Sequence, residues 1–334
     1  IDETITFDDL LLVPQYSEIL SRKTIDLSSK LDMNRQFLLP IISSPMDTVT
    51  GATMAKAMNK AGGLGVIHRY DSIDDQCDRI RRADATTAAA IGVTGDYLDR
   101  ATALIESGCD ILCVDVAHGH HALMRNALKT LRNTVGYNIH IMAGNVATLD
   151  GFNDLADWGA NSIRVGIGGG SICSTRIQTG HGVPTLQSVI DCSRSDRPVA
   201  LIADGGIKTP GDIVKALAAG ADFVMLGSML AGTAESPGQV FYGEGGQYKS
   251  YRGMASVEAQ IDWRGHTASV EGVSHTIPYK GSVVDILAGL EGSIRSGLSY
   301  TGALNLDELR VKSKFIKQTA AGQTESSTHI KSRY

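Results

Sequence analysis

The sequence predicts an α/β protein, a closed (β/α)8 barrel of the TIM type, and three observations carry that expectation. Eight short apolar, β-branched runs occur along the 334 residues. Most begin about 22 to 29 residues apart, the room that a strand, a loop, a helix and a return require. Each run is nearly continuous in apolar character, as strands buried on both faces must be. An open doubly wound sheet is the competing arrangement, but eight units would make it unusually wide.

In chain order the strand candidates are "LPIISS" (39–44), "LGVIH" (64–68), "AAAIGV" (88–93), "ILCVDV" (111–116), "IHIMAG" (139–144), "SIRVGI" (162–167), "ALIADG" (200–205) and "FVMLGS" (223–228). Helix-period stretches lie between them. "GATMAKAMNKAGG" ends on a glycine C-cap, and "TPGDIVKALAAGAD" opens on a threonine N-cap with proline at the first helical position. Two segments depart from the repeat. One is the long interval after the sixth strand, which begins with "GIGGGSICSTR" (166–176). The other follows the eighth strand, from Met229 to about Lys280, and reads as an extended segment ending in a short flap. A single catalytic domain is expected over residues 1–317, with a flexible C-terminal tail over 318–334.

Composition narrows the function. With 31 Lys+Arg against 36 Asp+Glu and a formal net charge of -5, no basic face for nucleic acid is indicated. No run approaches the roughly eighteen apolar residues of a membrane span, and the acidic start "IDETITFDDLL" is unlike a secretory leader, so a cytoplasmic setting is expected. The five cysteines form no CxxC pair and no zinc-type spacing, which predicts neither disulfides nor a metal knuckle. Four of them read as core.

In a barrel of this kind the active site lies at the carboxyl ends of the strands. The residues there are Met46 and Asp47, His68 and Arg69, Asp115 with His118, Asn145, the glycine run with Cys173, Asp204 to Gly206, and Gly227 with Ser228. Gly206, Gly227 and Ser228 follow the last two strands, where backbone amides can cradle a phosphate, and Ser171 can add a hydroxyl. Tight βα turns would need the same residues. Asp204 suits the vicinal hydroxyls of a ribose, or else caps a helix. Cys173 stands among free amides beside Arg176, a setting that favours a nucleophilic thiolate, although a packing role fits the same position. His118, His120 and His121 lack a carboxylate at ligand spacing and read as solvated. Trp263 reads either as a base-stacking platform or as local packing.

Nine motifs in order, "FDDLLLVP", "SSPMDTVT", "GGLGVIHR", "AGNVAT", "GIGGGSICSTR", "IADGGI", "GADFVMLGSMLAGTAESPG", "YRGM" and "YKG", resemble the family of inosine monophosphate dehydrogenase and guanosine monophosphate reductase over nearly the whole chain. The resemblance implies a purine nucleoside monophosphate as ligand and Cys173 as the nucleophile that attacks purine C2. It implies Ser171, Gly206, Gly227, Ser228 and Tyr251 on the phosphate, Asp204 on the ribose, and Met254 with Glu271 at the purine edge. Thr175 and Glu271 become a proton relay, and Asp115 and Asn145 face the nicotinamide cofactor. Carbonyls of Gly166, Gly168 and Cys173 become a potassium site, although Gly169 stands where the family usually has proline. A homotetramer is also implied.

Both enzymes of that family form a thioimidate at C2. The dehydrogenases reduce NAD and then hydrolyse the adduct with an Arg-Tyr pair on a long flap, whereas the reductases release ammonia and take hydride from NADPH. The sixteen residues between Met254 and Glu271, "ASVEAQIDWRGHTASV", hold no Arg-Tyr pair, and "IDDQCDRIRRADATT" leaves no regulatory insert between the second and third strands. The expectation is therefore a GMP reductase using NADPH, although "SSPMDTVT", "GGLGVIHR" and "SGLSYTGA" are worded like dehydrogenases using NAD. A third possibility, a nucleotide-binding protein that has lost catalysis, conflicts with the presence of Cys173, Thr175 and Glu271.

Overall fold

A computed structural model describes residues 1–267 and 270–326. Eight parallel strands close into a barrel in chain order: β1 (Ile41–Ser43), β2 (Leu64–Ile67), β3 (Ala88–Ile91), β4 (Ile111–Asp115), β5 (His140–Val146), β6 (Ser162–Val165), β7 (Ala200–Asp204) and β8 (Phe223–Leu226). β8 pairs back onto β1 through Val224 and Ile41, which closes the ring. Every strand candidate read from the sequence is a barrel strand. The apolar runs overshoot because the residues after each strand turn into the catalytic rim.

Alternate strand residues fill the barrel. Ile42, Leu64, Val66, Ala88, Ala90, Ile111, Cys113, Met142, Ile202, Phe223 and Met225 form an inner cluster, while the opposite faces pack under the surrounding helices. The N-terminal opening is closed by a hairpin pairing Ser29–Lys30 with Gln36–Phe37. Leu31 and Phe37 enter the inner cluster from there, and Phe37 meets Phe223 edge-on at 6.0 Å. That plug was not legible as a unit in the sequence.

Local chemistry sets the helices. α1 (Ala52–Lys60) follows Gly51, α2 (Ile73–Ala83) is capped by Ser72, α3 is Tyr97–Glu106, and α4 (Ala122–Val135) is capped by His121. α5 (Leu149–Asp157) takes Thr148 as its cap, α6 is Thr175–Thr179 and α7 is Thr185–Cys192. α8 (Pro210–Ala218) carries a full capping box, with Thr209 and Asp212 serving each other's backbone and proline in the first turn. Asp204 is thereby released from any capping role.

After β8 the long polar segment is an antiparallel sheet, β9 (Phe241–Gly243), β10 (Gly246–Arg252) and β11 (Ser274–Pro278), with α9 (Val257–Arg264) inserted between the last two strands. α10 (Val283–Thr301) and α11 (Leu306–Lys312) complete the barrel wall. Leu10–Leu12 pairs with Phe315–Lys317, joining the two ends of the domain. The expected tail starts differently: Gln318 donates to the backbone of Asp8, and α12 (Ala320–Glu325), capped by Thr319, follows. Residues 327–334 of that expectation lie outside the described residues. Among the described residues no helix is long and apolar enough to cross a membrane.

Candidate active site

A cavity of about 510 Å³ opens at the carboxyl ends of the strands and is lined by every residue to which the resemblance assigns a role, from Asp115 and Asn145 to Glu271. Residues from β4 to β8 and from the segment after β8 meet there. Glu271 reaches the site because the chain after β8 folds back over the cysteine loop. Ser174 N–H donates to the Glu271 carbonyl at 2.9 Å, Val273 N–H to Ile172 at 3.1 Å, and Glu271 N–H to Ala255 at 3.1 Å.

This layering builds a chain of hydrogen bonds. The Cys173 thiol donates to Thr175 Oγ1 at 3.1 Å, and Thr175 Oγ1 donates to Glu271 Oε2 at 2.7 Å. Cys173 is half-buried, whereas Cys77, Cys109, Cys113 and Cys192 are buried. Burial pushes the thiols of Cys109, Cys113 and Cys192 up to about 12, so they are inert at neutral pH. Cys173 is therefore the thiol a ligand can reach.

The opposite wall is a cradle of small residues. Gly205 and Gly206 follow β7 with positive φ of 93° and 75°, a conformation that favours glycine. Gly227 follows β8, where a side chain would stand 3.2 Å from the Tyr251 hydroxyl and 3.3 Å from Met46 Sδ. Ser171 Oγ and Tyr251 OH lie 3.5 Å apart across the cradle. Burial raises the Tyr251 phenol above its ordinary range, so it stays protonated and can donate to an anion. Lys280 Nζ donates to the Ser228 carbonyl at 2.5 Å, which ties that loop from its outer side.

The floor holds a residue that the sequence reading passed over. Arg164 on β6, only 6% exposed, donates from NH1 to Asp115 Oδ1 at 2.5 Å and from NH2 to Asp204 Oδ2 at 2.8 Å. Asn145 Nδ2 adds bonds to Asp204 Oδ2 at 2.8 Å and to the Gly166 carbonyl at 2.9 Å. The signal was an arginine inside an otherwise apolar strand, "SIRVGI".

The expected cation ligands, Gly166, Gly168 and Cys173, all line the cavity. The Gly166 carbonyl accepts from Asn145 Nδ2 at 2.9 Å, and a β-carbon at Gly168 would stand 2.7 Å from the stem of Arg176.

Other expectations resolve into packing. Trp263 stands edge-on to Tyr70 at 5.8 Å with the Arg100 guanidinium over its ring at 5.9 Å, which favours local packing over a free stacking platform. His121 accepts from Leu123 N–H as a helix cap, and His120 pairs with Asp154 at 2.8 Å. No metal-holding group of His, Cys, Asp or Glu occurs among the described residues.

A reachable thiol, hydrogen-bonded through Thr175 to Glu271 and set beside a glycine-lined cradle at the mouth of a barrel, defines the class as a (β/α)8 barrel with an enzyme-like site at the carboxyl ends of its strands. The chain belongs to the IMP dehydrogenase / GMP reductase family, whose domain model matches residues 4–329. It is accordingly a purine nucleotide oxidoreductase of that family, whose members use NAD(P). An inosine-5'-monophosphate dehydrogenase from Nitrosopumilus maritimus is 34% identical, with 98% of each chain covered. A GMP reductase from Leishmania major is 32% identical, covering 98% of this chain and 97% of its own. Among solved structures, a cysteine-to-alanine variant of Trypanosoma brucei GMP reductase in complex with guanosine 5'-monophosphate superposes with a TM-score of 0.95 at 30% identity, covering 98% of both chains. The alignments to the first two run over 470 and 476 positions, well beyond the 334 residues here, so both kinds of relative carry stretches that this chain lacks. The missing insert therefore does not separate the two activities.

Proposed function

We propose that this protein is a GMP reductase, converting GMP to IMP and ammonia through a Cys173 adduct at purine C2. The observation that carries the reading is the segment between Met254 and Glu271. It holds no Arg-Tyr pair for activating water, and it is occupied by α9, fastened by Asp262 to Arg252 at 2.6 Å and by Trp263 against Tyr70. Arg252 in turn grips Asp47 on the rim at 2.6 Å. The residues of this helix that line the cavity are Gln260, Trp263 and Arg264, none of them followed by the tyrosine of that pair.

In this reading the phosphate sits in the cradle of Ser171, Gly206, Gly227, Ser228 and Tyr251, Asp204 takes the ribose hydroxyls, and the backbone of Met254 meets the purine edge. The Met254 sulfur is already engaged by Asp47 N–H at 3.3 Å. Cys173 adds to C2, and the exocyclic amine leaves as ammonia with a proton delivered along Thr175 and Glu271. The thiolate leaves when IMP forms. NADPH fits the second half of the cavity, where Asp115 and Asn145 stand beside the aromatic rings of Tyr70 and Trp263 and the cations Arg69 and Arg264. When bound it supplies the hydride that reaches C2.

The alternative is an IMP dehydrogenase, favoured by the dehydrogenase-like wording of "SSPMDTVT" and by the Nitrosopumilus relative. Parallel assays with GMP plus NADPH and with IMP plus NAD separate the two. Ammonia release with NADPH oxidation is expected; xanthosine monophosphate formed with NAD reduction would overturn the proposal.

A further inference from the structure

We infer that Arg164 is a positioning residue shared by the two halves of the site, orienting the nucleotide carboxylate Asp204 and the cofactor carboxylate Asp115 through one guanidinium. The inference rests on the assignment of those two carboxylates to separate ligands in the proposed function.

The geometry is built for sharing. Nε and NH2 of Arg164 both face Asp204 Oδ2, at 3.2 and 2.8 Å, while NH1 faces Asp115 Oδ1 at 2.5 Å. Asn145 joins them on the same Oδ2 of Asp204, which leaves Oδ1 without a protein partner among the described residues. The nearest other cation to Asp115 is Arg69, with Nε 3.9 Å from Oδ2. Each carboxylate thus has one oxygen held by Arg164; the second oxygen of Asp204 takes no protein donor among the described residues, and that of Asp115 has only the longer approach of Arg69.

Only a planar, forked cation does this. A lysine ammonium is a point donor on a flexible stem and serves one carboxylate at a time. Without that cation, Asp115 and Asp204 would be two half-buried like charges with no shared counter-charge between them, a setting that favours protonation of one. The neighbouring strand makes room: a side chain at Gly144 on β5 would lie 2.5 Å from Arg164 Cβ. The glycine of the "AGN" triplet therefore lets the strand pass close to Arg164, whose guanidinium shares Asp204 Oδ2 with Asn145.

The test is a pair of thermodynamic cycles on the full chain, read by calorimetric binding of GMP and IMP and, separately, of NADPH and NAD. Arg164→Gln should weaken the nucleotide and the dinucleotide alike, by roughly tenfold to a hundredfold each. In an Asp204→Asn background its effect on the nucleotide should shrink to about twofold, and in Asp115→Asn its effect on the dinucleotide should do the same. Weakening of one ligand only, or full effects persisting in both neutral backgrounds, would overturn the inference. If Arg164→Gln does not fold, Arg164→Lys takes its place; a lysine serves one carboxylate at a time, so for that variant loss of one affinity is the expected result and retention of both would overturn the inference. A preference for IMP with NAD would refute the reductase reading while leaving both cycles measurable with that pair.

Discussion

Thr175 Oγ1 and Glu271 Oε2 meet at 2.7 Å although the two residues are 96 positions apart. Thr175 opens a short helix after the cysteine loop, and Glu271 lies just before the last strand of the added sheet. Their contact depends on the backbone bond from Ser174 to Glu271, so the relay is assembled only when the segment after β8 is folded onto the barrel. Thr175→Ala and Glu271→Gln should each lower kcat by about 10²- to 10⁴-fold, the usual range for a lost acid-base group, with nucleotide affinity changed little. Steady-state kinetics beside equilibrium binding check this. A loss confined to KM would remove the relay from the chemistry.

Cys173→Ala should abolish turnover and spare nucleotide binding. In the native protein at neutral pH, an alkylating reagent should label Cys173 first, because the other four thiols are buried. Peptide mass spectrometry checks the label, and a saturating nucleotide should protect it. Comparable labelling of Cys113 or Cys192 would contradict the account of the site.

Gly169 and Thr185 are sterically linked. A β-carbon at Gly169 would stand 2.5 Å from Thr185 Oγ1, a buried hydroxyl with no hydrogen-bond partner among the described residues. Gly169→Ala should therefore destabilise by about 1–3 kcal/mol, as overpacking does. Adding Thr185→Ala should recover most of that, since it removes both the clash and an unsatisfied polar group. Thermal unfolding of the two single variants and the double variant reads the coupling directly. Strict additivity would refute it.

At the closed end of the barrel, His140 lies between Asp32, at 2.6 Å from Nδ1, and Ser162, at 2.8 Å from Nε2. A carboxylate only accepts, so Nδ1 carries the proton and the neutral ring accepts from Ser162. Burial holds the imidazole below its ordinary value of 6.5, outweighing the pull of Asp32. Burial opposes the Asp32 carboxylate, yet the bonds from His140 and Asn34 hold that carboxyl well below its usual range. Both shifts have one sign: the unfolded chain takes up these protons first, so stability is full above about pH 6.5 and declines as pH falls through the lowered values. Urea midpoints across that window should fall in the wild type and fall less in His140→Gln. Equal slopes would contradict the assignment.

The barrel was legible because strands buried on both faces must be apolar throughout, and the rim because glycine and charged residues interrupt those runs at fixed places. Cys173, Asp204 and the Gly227 turn were found in this way. Arg164 was not, since a strand residue at its position points inward and its value lies in two partners, Asp115 and Asp204, that no local pattern reveals. The plug of Leu31 and Phe37 escaped for a similar reason: Leu31 sits between Lys30 and Asp32, Phe37 runs straight into the apolar run before β1, and only closure of the barrel gives the two a shared place to be buried. The sheet after β8 read as an irregular segment because its strands, "FYG", "GQYKSYR" and "SHTIP", are short or largely polar and mostly exposed.

The most direct measurement uses GMP with NADPH deuterated at the transferable position of the nicotinamide. The account predicts ammonia and IMP that carries the deuterium at purine C2. Failure of GMP to yield IMP, together with conversion of IMP to xanthosine monophosphate as NAD is reduced, would contradict it.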